Sequence, residues 1–229
     1  AEQAYGYAIR VATQRGGHEF DDQCVTVQYN LARLYEARGE YDQAGQKYKA
    51  ILEVRPSYPD CFLRLAACEA AKGKRAEAIG WAQKELTMHP KRPDAWCALG
   101  NLYLEAGDYK HAESAFKSLL STAEEEGPKG PVPCKRDAYA QATLAWIQIM
   151  QAYAPCPPAA PLVQACGLAS GQERVDKACE TLRKVLVDEP NNLYAANGIG
   201  VVCVAKGRLT EAREIFTSVR EASGECVCP

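Results

Sequence analysis

The chain has 229 residues, of which 47% are hydrophobic and 24% are charged, a composition typical of a folded protein with a sizeable core. Its 27 basic and 29 acidic residues give a formal net charge of -2, which argues against a surface for direct nucleic-acid binding. No apolar run reaches the ~20 residues that cross a membrane, so no membrane partner is expected either.

The first predicted element is a helix over residues 1–15, AEQAYGYAIRVATQR. Small, aromatic and small residues stand at Ala1, Tyr5 and Ala8, as they do in the second helix of the repeats described next. We therefore interpret residues 1–15 as helix B of an incomplete repeat.

Three regular repeats follow, over residues 25–58, 59–92 and 93–126. An interval of 34 residues recurs in several columns of residues: Leu31, Leu65 and Leu99; Ala32, Ala66 and Gly100; Gly39, Gly73 and Gly107; Ala44, Ala78 and Ala112. Each repeat predicts two amphipathic helices, A and B, joined by a glycine turn. In the third repeat, Asp94 is expected to cap helix A and Gly107 to mark its end.

The period is interrupted between positions 127 and 191. Residues 127–136, GPKGPVPCKR, predict a connector, and a fourth repeat covers residues 137–191 with an insertion at 154–172, APCPPAAPLVQACGLASGQ. Because its prolines are dense, the insertion is not expected to form a continuous helix. We interpret it as a surface loop, with a partner-docking segment as the alternative.

The last repeat, residues 193–226, contains Gly198 and Gly200 in an otherwise apolar run. A dinucleotide-binding loop needs a third glycine where Cys203 stands, so this pair is a poor match to that motif. Gly200 instead falls in the column of Ala32 and Ala66. We predict that Gly200 is the small residue where helix A meets helix B.

In the third repeat the residues Trp96, Leu99, Gly100, Tyr103, Ala112 and Phe116 resemble the tetratricopeptide (TPR) signature column by column. This resemblance predicts an all-α fold, a right-handed TPR superhelix or α-solenoid of about five helix-turn-helix repeats. The solenoid is expected to form one domain over residues 1–229, with the first repeat incomplete.

No residue pattern predicts chemistry. The 11 cysteines include no Cys-x-x-Cys pair, and the three histidines stand at no zinc-finger spacing from them. The thiols are expected to be reduced and mostly buried, and no catalytic residue, metal site or cofactor is expected.

Stacked TPR helices line an inner, concave face mainly with A helices, which predicts a site for a partner protein. The residues expected on that face are Tyr29, Arg33, Leu63, Asn101, Trp146, Met150, Tyr194 and Asn197. Neighbouring inward positions hold Ala67, Cys97 and Val201. Trp146 and Tyr194 are the expected anchors, although packing of repeat on repeat is an equal alternative for such aromatics.

The residues at inward positions also distinguish classes of TPR protein. Co-chaperone TPR domains hold a C-terminal carboxylate with lysine at an inward position, where this chain has Tyr29, Leu63 and Cys97. The glycosyltransferase class has an asparagine ladder, whereas Asn30, Asn101 and Asn197 fall in different columns here. Neither the carboxylate clamp nor the asparagine ladder is therefore expected in this chain.

A narrower resemblance is carried by four stretches: YNLARLYEARGEYDQA (29–44), YPDCFLRLAA (58–67), PDAWCALGNLYL (93–104) and NLYAANGIGVVCVAKGRLTEAREIFTSVREAS (192–223). In this order they resemble the large TPR subunit of the RNA polymerase II-associated factor (PAF) elongation complex. In that family Asn197 and Gly198 extend the signature beyond what the TPR fold demands. One departure is the insertion at 154–172, where the family has a charged connector.

The resemblance implies a nuclear scaffold without catalytic activity. Its partners would be the other PAF subunits, including the parafibromin-type subunit, and through them the RNA polymerase II elongation complex. It would support transcription elongation, histone monoubiquitination and histone methylation. The alternative that remains open is a general TPR adaptor for a peptide or partner helix.

Overall fold

The structure is a computed structural model that describes residues 2–14, 22–122, 137–153 and 163–224. Every regular element within these ranges is an α-helix. The helices are α1 (Glu2–Gln14), α2 (Asp22–Ala37), α3 (Tyr41–Val54), α4 (Pro59–Ala71), α5 (Arg75–Met88), α6 (Pro93–Glu105), α7 (Tyr109–Thr122), α8 (Ala138–Tyr153), α9 (Val163–Asp188), α10 (Leu193–Ala205) and α11 (Leu209–Ala222). The predicted all-α fold of helix pairs is confirmed.

The chain divides into two compact units, Ala1–Asp108 and Tyr109–Pro229. Unit 1 contains α1 to α6 and unit 2 contains α7 to α11. The division falls inside the third predicted repeat, between its helix A, α6, and its helix B, α7. The single domain that the sequence predicts over residues 1–229 stays a prediction.

A glycine ends helix A because the chain must turn sharply there. Gly107 has φ +76°, which a residue without a side chain adopts at little cost. The N–H of Asp108 donates to the Tyr103 carbonyl at 2.9 Å and that of Gly107 to the Leu104 carbonyl at 3.0 Å, the two bonds of a Schellman motif. The same pair of bonds recurs at Gly39, Gly73 and Gly207.

The start of α6 differs from the sequence prediction. Arg92, and not Asp94, occupies the N-cap, and its side chain makes no capping hydrogen bond. Pro93 fills the first helical position, which shifts Asp94 into the first turn. There its carboxylate lies 3.4 Å from Arg92 Nη2 and near the positive end of the helix dipole.

In unit 1 the core is built where helices of successive repeats stack. One cluster of buried side chains includes Tyr48, Ile51 and Leu65, from α3 and α4. A second includes Ala82 and Leu99, from α5 and α6. Each of the B helices α3 and α5 therefore packs both against helix A of its own repeat and against helix A of the next repeat.

Unit 2 contains the largest departure from the sequence prediction. Within the proposed insertion at 154–172, residues 154–162 lie outside the described residues, but α9 already begins at Val163. The expectation of no continuous helix is wrong from that point on. The reason is that the four prolines stand at 155, 157, 158 and 161, so none interrupts the sequence beyond Val163. A Cβ at Gly171 would lie 3.5 Å from the Ala152 carbonyl oxygen, so α9 packs closely on α8.

Both glycines of α10 lie close to side chains of neighbouring B helices. A Cβ placed on Gly200 would lie 2.6 Å from Cε1 of Phe216 in α11, the helix B of the same repeat. A Cβ on Gly198 would lie 2.9 Å from Cδ1 of Leu182 in α9, the preceding helix B. The sequence prediction for Gly200 is correct. The close contact of Gly198 is particular to this repeat, because Asn30, Arg64 and Ala98 occupy the same column in the regular repeats.

The second repeat places a carboxylate where its neighbours place hydrocarbon. Glu85 of α5 is fully buried and occupies the same repeat column as Ile51 and Leu119, which are buried too. Its Oε1 lies 3.3 Å from His89 Nδ1 and 3.5 Å from Arg92 Nη1. Burial raises the pKa of Glu85, and the positive charges of His89 and Arg92 offset only part of that rise.

Substituting Gly200 tests whether glycine serves packing. Gly200→Leu should lower the free energy of unfolding by roughly 1 to 3 kcal/mol, because the side chain would overlap the Phe216 ring. Gly80→Ala in α5 is the matched control, since no atom lies within 4 Å of its added Cβ. Gly80→Ala should stabilise by up to about 1 kcal/mol through helix propensity. Thermal and urea unfolding measure both, and an unchanged midpoint for Gly200→Leu would contradict this account.

Glu85→Leu tests the cost of the buried carboxylate. At pH 8 this variant should be more stable than the wild type by about 1 to 2 kcal/mol, because His89 and Arg92 are partly exposed and Arg92 keeps Asp60 and Asp94 as partners. The folded-state pKa of Glu85 lies above its unfolded value, so the penalty on the wild type is complete above the folded pKa. The penalty fades as the pH falls toward the ordinary carboxyl range.

The advantage of Glu85→Leu should therefore shrink between pH 8 and about pH 4.5. Urea unfolding at several pH values measures the difference, with the exposed Glu53→Leu as control. A constant advantage across this range would show that charge burial is not its cause.

Candidate functional site

Two neighbouring A helices of unit 1, α4 and α6, enclose a groove of about 460 Å³. Its lining is mainly alanine, and Glu105 is the charged residue among those that line it: Leu63, Ala66, Ala67, Ala70, Ala71, Ala98, Asn101, Leu102 and Glu105. The small side chains leave room between the helices, and the groove has the volume of a typical ligand site. The arrangement suits an apolar side chain of a partner segment.

Two of the residues predicted for the inner face come together in this groove. Leu63 lies on the wall from α4 and Asn101 on the wall from α6. Ala67, also placed on the inner face by the sequence, lines the same groove from α4 and is exposed. These residues thus share one groove, and both their place on an inner face and their role in binding stay predictions.

Tyr29 and Arg33 of α2 have a different environment. The Tyr29 ring is half-buried and lies 5.6 Å from the Tyr48 ring and 5.8 Å from the Tyr58 ring, between centroids. Tyr29 thus packs against the core of unit 1, which is the structural alternative that the sequence left open. Arg33 is about half exposed and lies 3.8 Å from the Glu36 carboxylate.

Glu36 organises a polar cluster beside Tyr29 that the sequence analysis missed. Its Oε2 accepts a hydrogen bond from Tyr48 Oη at 2.9 Å, and its Oε1 lies 3.2 Å from Arg64 Nη1. Burial and the adjacent Glu36 carboxylate raise the pKa of Tyr48, so its hydroxyl remains a donor. The cluster ties α2, α3 and α4 together, and a repeat pattern gives no signal for contacts of this kind.

In unit 2 the predicted anchor Tyr194 has an aromatic partner. The rings of Tyr194 and Tyr139 lie 6.1 Å apart between centroids, and each residue remains more than 40% exposed. Tyr139 also lies 6.2 Å from the buried Phe116 ring. The pair is therefore held in place by the Phe116 ring on one side and exposed on the other, as aromatic contact residues commonly are.

Tyr139 was missed by the sequence analysis, although helix caps give its register. Asp137 accepts a hydrogen bond from the Ala140 N–H, and Asn192 accepts one from the Ala195 N–H. These matching caps make Tyr139 and Tyr194 the second residues of α8 and α10. The insertion at 154–172 hid the correspondence, because it lengthens the interval between Tyr139 and Tyr194 beyond that of the regular repeats.

The remaining predicted residues of unit 2 are half-buried. Trp146 and Met150 lie four residues apart on α8, and Asn197 lies on α10. Val201 of α10 packs against the buried core of the unit. These residues share the two helices that carry the tyrosine pair.

The described residues contain no group of three or more histidine, cysteine, aspartate or glutamate side chains suited to hold a metal ion. Cysteine side chains 61, 68, 97, 179 and 203 are free thiols, and all but Cys97 are buried. Burial raises the pKa of the Cys61 thiol to about 12 and that of Cys68 to about 11, the opposite of what a nucleophile needs. No helix in the described part of the chain is long and apolar enough to cross a membrane.

Comparison with known proteins gives matches along most of the chain. A tetratricopeptide repeat family model matches residues 1–59, 29–93 and 168–225, and a second tetratricopeptide repeat model matches residues 93–126. Among solved structures, a MamA protein from Desulfovibrio magneticus RS-1 superposes with a TM-score of 0.62 at 19% identity, covering 91% of this chain and 99% of that one. This likeness concerns the fold.

Two curated relatives carry related names. The "Protein CTR9 homolog" of Arabidopsis thaliana is 33% identical over 204 residues, or 89% of this chain. The "RNA polymerase-associated protein CTR9" of Caenorhabditis elegans is 28% identical over 201 residues, or 88% of this chain. The chain spans only 17% and 16% of the lengths of these relatives. Together, the repeat matches and the helix pairs show that the chain belongs to the tetratricopeptide repeat family.

Proposed function

We propose that this chain is a TPR segment of a non-catalytic scaffold subunit of the PAF complex. The observation that carries the proposal is the 33% identity, over 89% of the chain, to the CTR9 homologue of Arabidopsis thaliana. The second relative, from Caenorhabditis elegans, is named as associated with RNA polymerase, and its match has nearly the same extent. A match that covers 89% of the chain, and not a single repeat, favours common descent within that subunit family.

Under this proposal the protein acts in the nucleus, on elongating RNA polymerase II. Its partners are the other PAF subunits, including the parafibromin-type subunit. Histone monoubiquitination and methylation would depend on it indirectly, through the assembly that it holds together. No direct contact with nucleic acid is proposed, because the chain carries a net charge of -2.

The geometry offers this scaffold two contact surfaces on A helices. The groove between α4 and α6 has an alanine floor that accepts an apolar side chain, with Asn101 and Glu105 to orient a polar backbone or a charged neighbour. The exposed Tyr139–Tyr194 pair of unit 2 offers rigid aromatic area at low conformational cost. Each surface suits a partner chain laid along the A helices.

The second candidate is a general TPR adaptor for a peptide or partner helix, which the TPR family matches favour on their own. A chaperone-type carboxylate clamp is not part of it. At the inward position where that clamp needs lysine, the chain has Tyr29, Leu63 and Cys97. An adaptor of this kind would bind short peptides without PAF subunits.

Affinity purification from nuclear extract separates the two candidates. The 229-residue chain should retain the parafibromin-type subunit and the subunit that names the PAF complex, identified by mass spectrometry. Ala67→Arg should reduce that recovery at least about tenfold, because a long cation would fill the groove between α4 and α6. Ala76→Arg, at an exposed position of α5, is the matched control and should leave recovery unchanged.

Each of three results would count against a different part of this proposal. Recovery of chaperones without PAF subunits would favour the adaptor. If Ala67→Arg and Ala76→Arg reduced the recovery of PAF subunits equally, the groove between α4 and α6 would not be the binding site. Undiminished recovery with Ala67→Arg would be compatible with the scaffold function but would show that the groove is not needed for binding. The Tyr139→Ala, Tyr194→Ala double variant would then test the second surface.

A further inference from the structure

The B helices α3 and α5 of unit 1 carry a further surface, on which two lysines lie close to one tryptophan ring. At its centre is Trp81 of α5, partly buried against Phe62. Two ammonium groups converge on the Trp81 ring, Lys84 Nζ at 4.1 Å and Lys49 Nζ at 5.9 Å from its centroid. With Val54 and Met88, these residues form what we call the Trp81 patch.

The convergence of Lys49 and Lys84 costs electrostatic free energy. Each ammonium is attracted to the face of the indole ring, but the two like charges repel each other. Neither lysine forms an ion pair with a carboxylate in the part of the chain that the structure describes. An anion placed between the two ammoniums would relieve the repulsion and gain two charge-assisted contacts.

The patch also has an apolar component. Trp81, Lys84 and Met88 stand at i, i+3 and i+7 of α5, so they form one stripe along the helix. Met88 is 52% exposed, and Val54, its counterpart in the preceding repeat at the end of α3, is 48% exposed. Large exposed apolar side chains beside unpaired cations match the two faces of an amphipathic segment.

Local charge defines the partner further. Lys47, Lys49 and Lys84 outnumber the carboxylates of Glu53 and Glu77 on these faces of α3 and α5, and Glu77 is already paired with Lys74, although the whole chain is net negative. Nucleic acid fits poorly, because two or three lysines neutralise few phosphates and the remaining surface would repel them. An acidic protein segment complements both the cations and the apolar stripe.

We propose that the Trp81 patch docks an acidic amphipathic segment of a partner protein. Its carboxylates lie between Lys49 and Lys84, and its apolar side chains rest on Met88 and Val54. This inference goes beyond the proposed scaffold function, because it uses B helices and holds for either identity of the inner-face partner.

Peptide binding to the full chain tests the charge requirement. The probe is a short synthetic helix-forming peptide, fluorescein-labelled, with leucine on one face and glutamate on the other. A second peptide has glutamine in place of every glutamate. Fluorescence anisotropy should show at least about tenfold tighter binding of the glutamate peptide, with the advantage falling as salt rises.

Variants of the chain test the location. Lys49→Glu with Lys84→Glu should weaken binding of the glutamate peptide at least about tenfold. The matched control is Lys110→Glu with Arg183→Glu, which makes the same charge change at exposed positions of α7 and α9. Val54→Ser with Met88→Ser should weaken binding several-fold, and exposure of both residues keeps the fold intact. Circular dichroism checks that each variant is folded.

The proposal is overturned if neither peptide binds, if the glutamine peptide binds as tightly, or if the control variant loses as much affinity as the Lys49, Lys84 variant. Displacement of the glutamate peptide by single-stranded DNA at lower concentration than by unlabelled peptide would overturn it in favour of nucleic acid. Failure here leaves the scaffold function untouched, because recovery of PAF subunits is tested with variants of the A helices and not with variants of the Trp81 patch.

Discussion

The close approach of helix A to helix B at one small side chain is the constraint on which the rest of this structure depends. Ala32, Ala66 and Gly200 occupy that position in three repeats, and each is buried. The contact of Gly200 with Phe216 shows how little space is left, since even a methyl group would overlap the ring. Close helix axes allow the next helix A to stack alongside, and this stacking creates the groove between α4 and α6.

The features that repeat were the ones that the sequence could predict. Regularly spaced leucine, alanine and glycine columns located the helix pairs, and the glycine turns at Gly39, Gly73 and Gly107 adopt the positive φ that their position requires. Leu63 and Asn101 were placed on the correct A helices for the same reason, and they line one groove. Periodicity predicts backbone geometry and helix faces because both depend on regular spacing.

Features that occur once were not predicted. Glu85 interrupts a buried apolar column, and only the positions of His89 and Arg92 show how its charge is accommodated. Tyr139 was missed because the interval between the repeats is irregular in this part of the chain. Helix α9 begins within the proposed insertion because the prolines are confined to the first part of that insertion. Contacts such as Glu36 with Arg64 join side chains that are distant in sequence, so no local pattern encodes them.

The central claim is that partner subunits of the PAF complex bind along the A helices. Hydrogen–deuterium exchange of the full chain, alone and with saturating parafibromin-type subunit and the subunit that names the complex, tests it most directly. The account predicts slower exchange in α4 and α6, where a bound segment would cover the groove. Saturated binding that leaves exchange in both helices unchanged would contradict it.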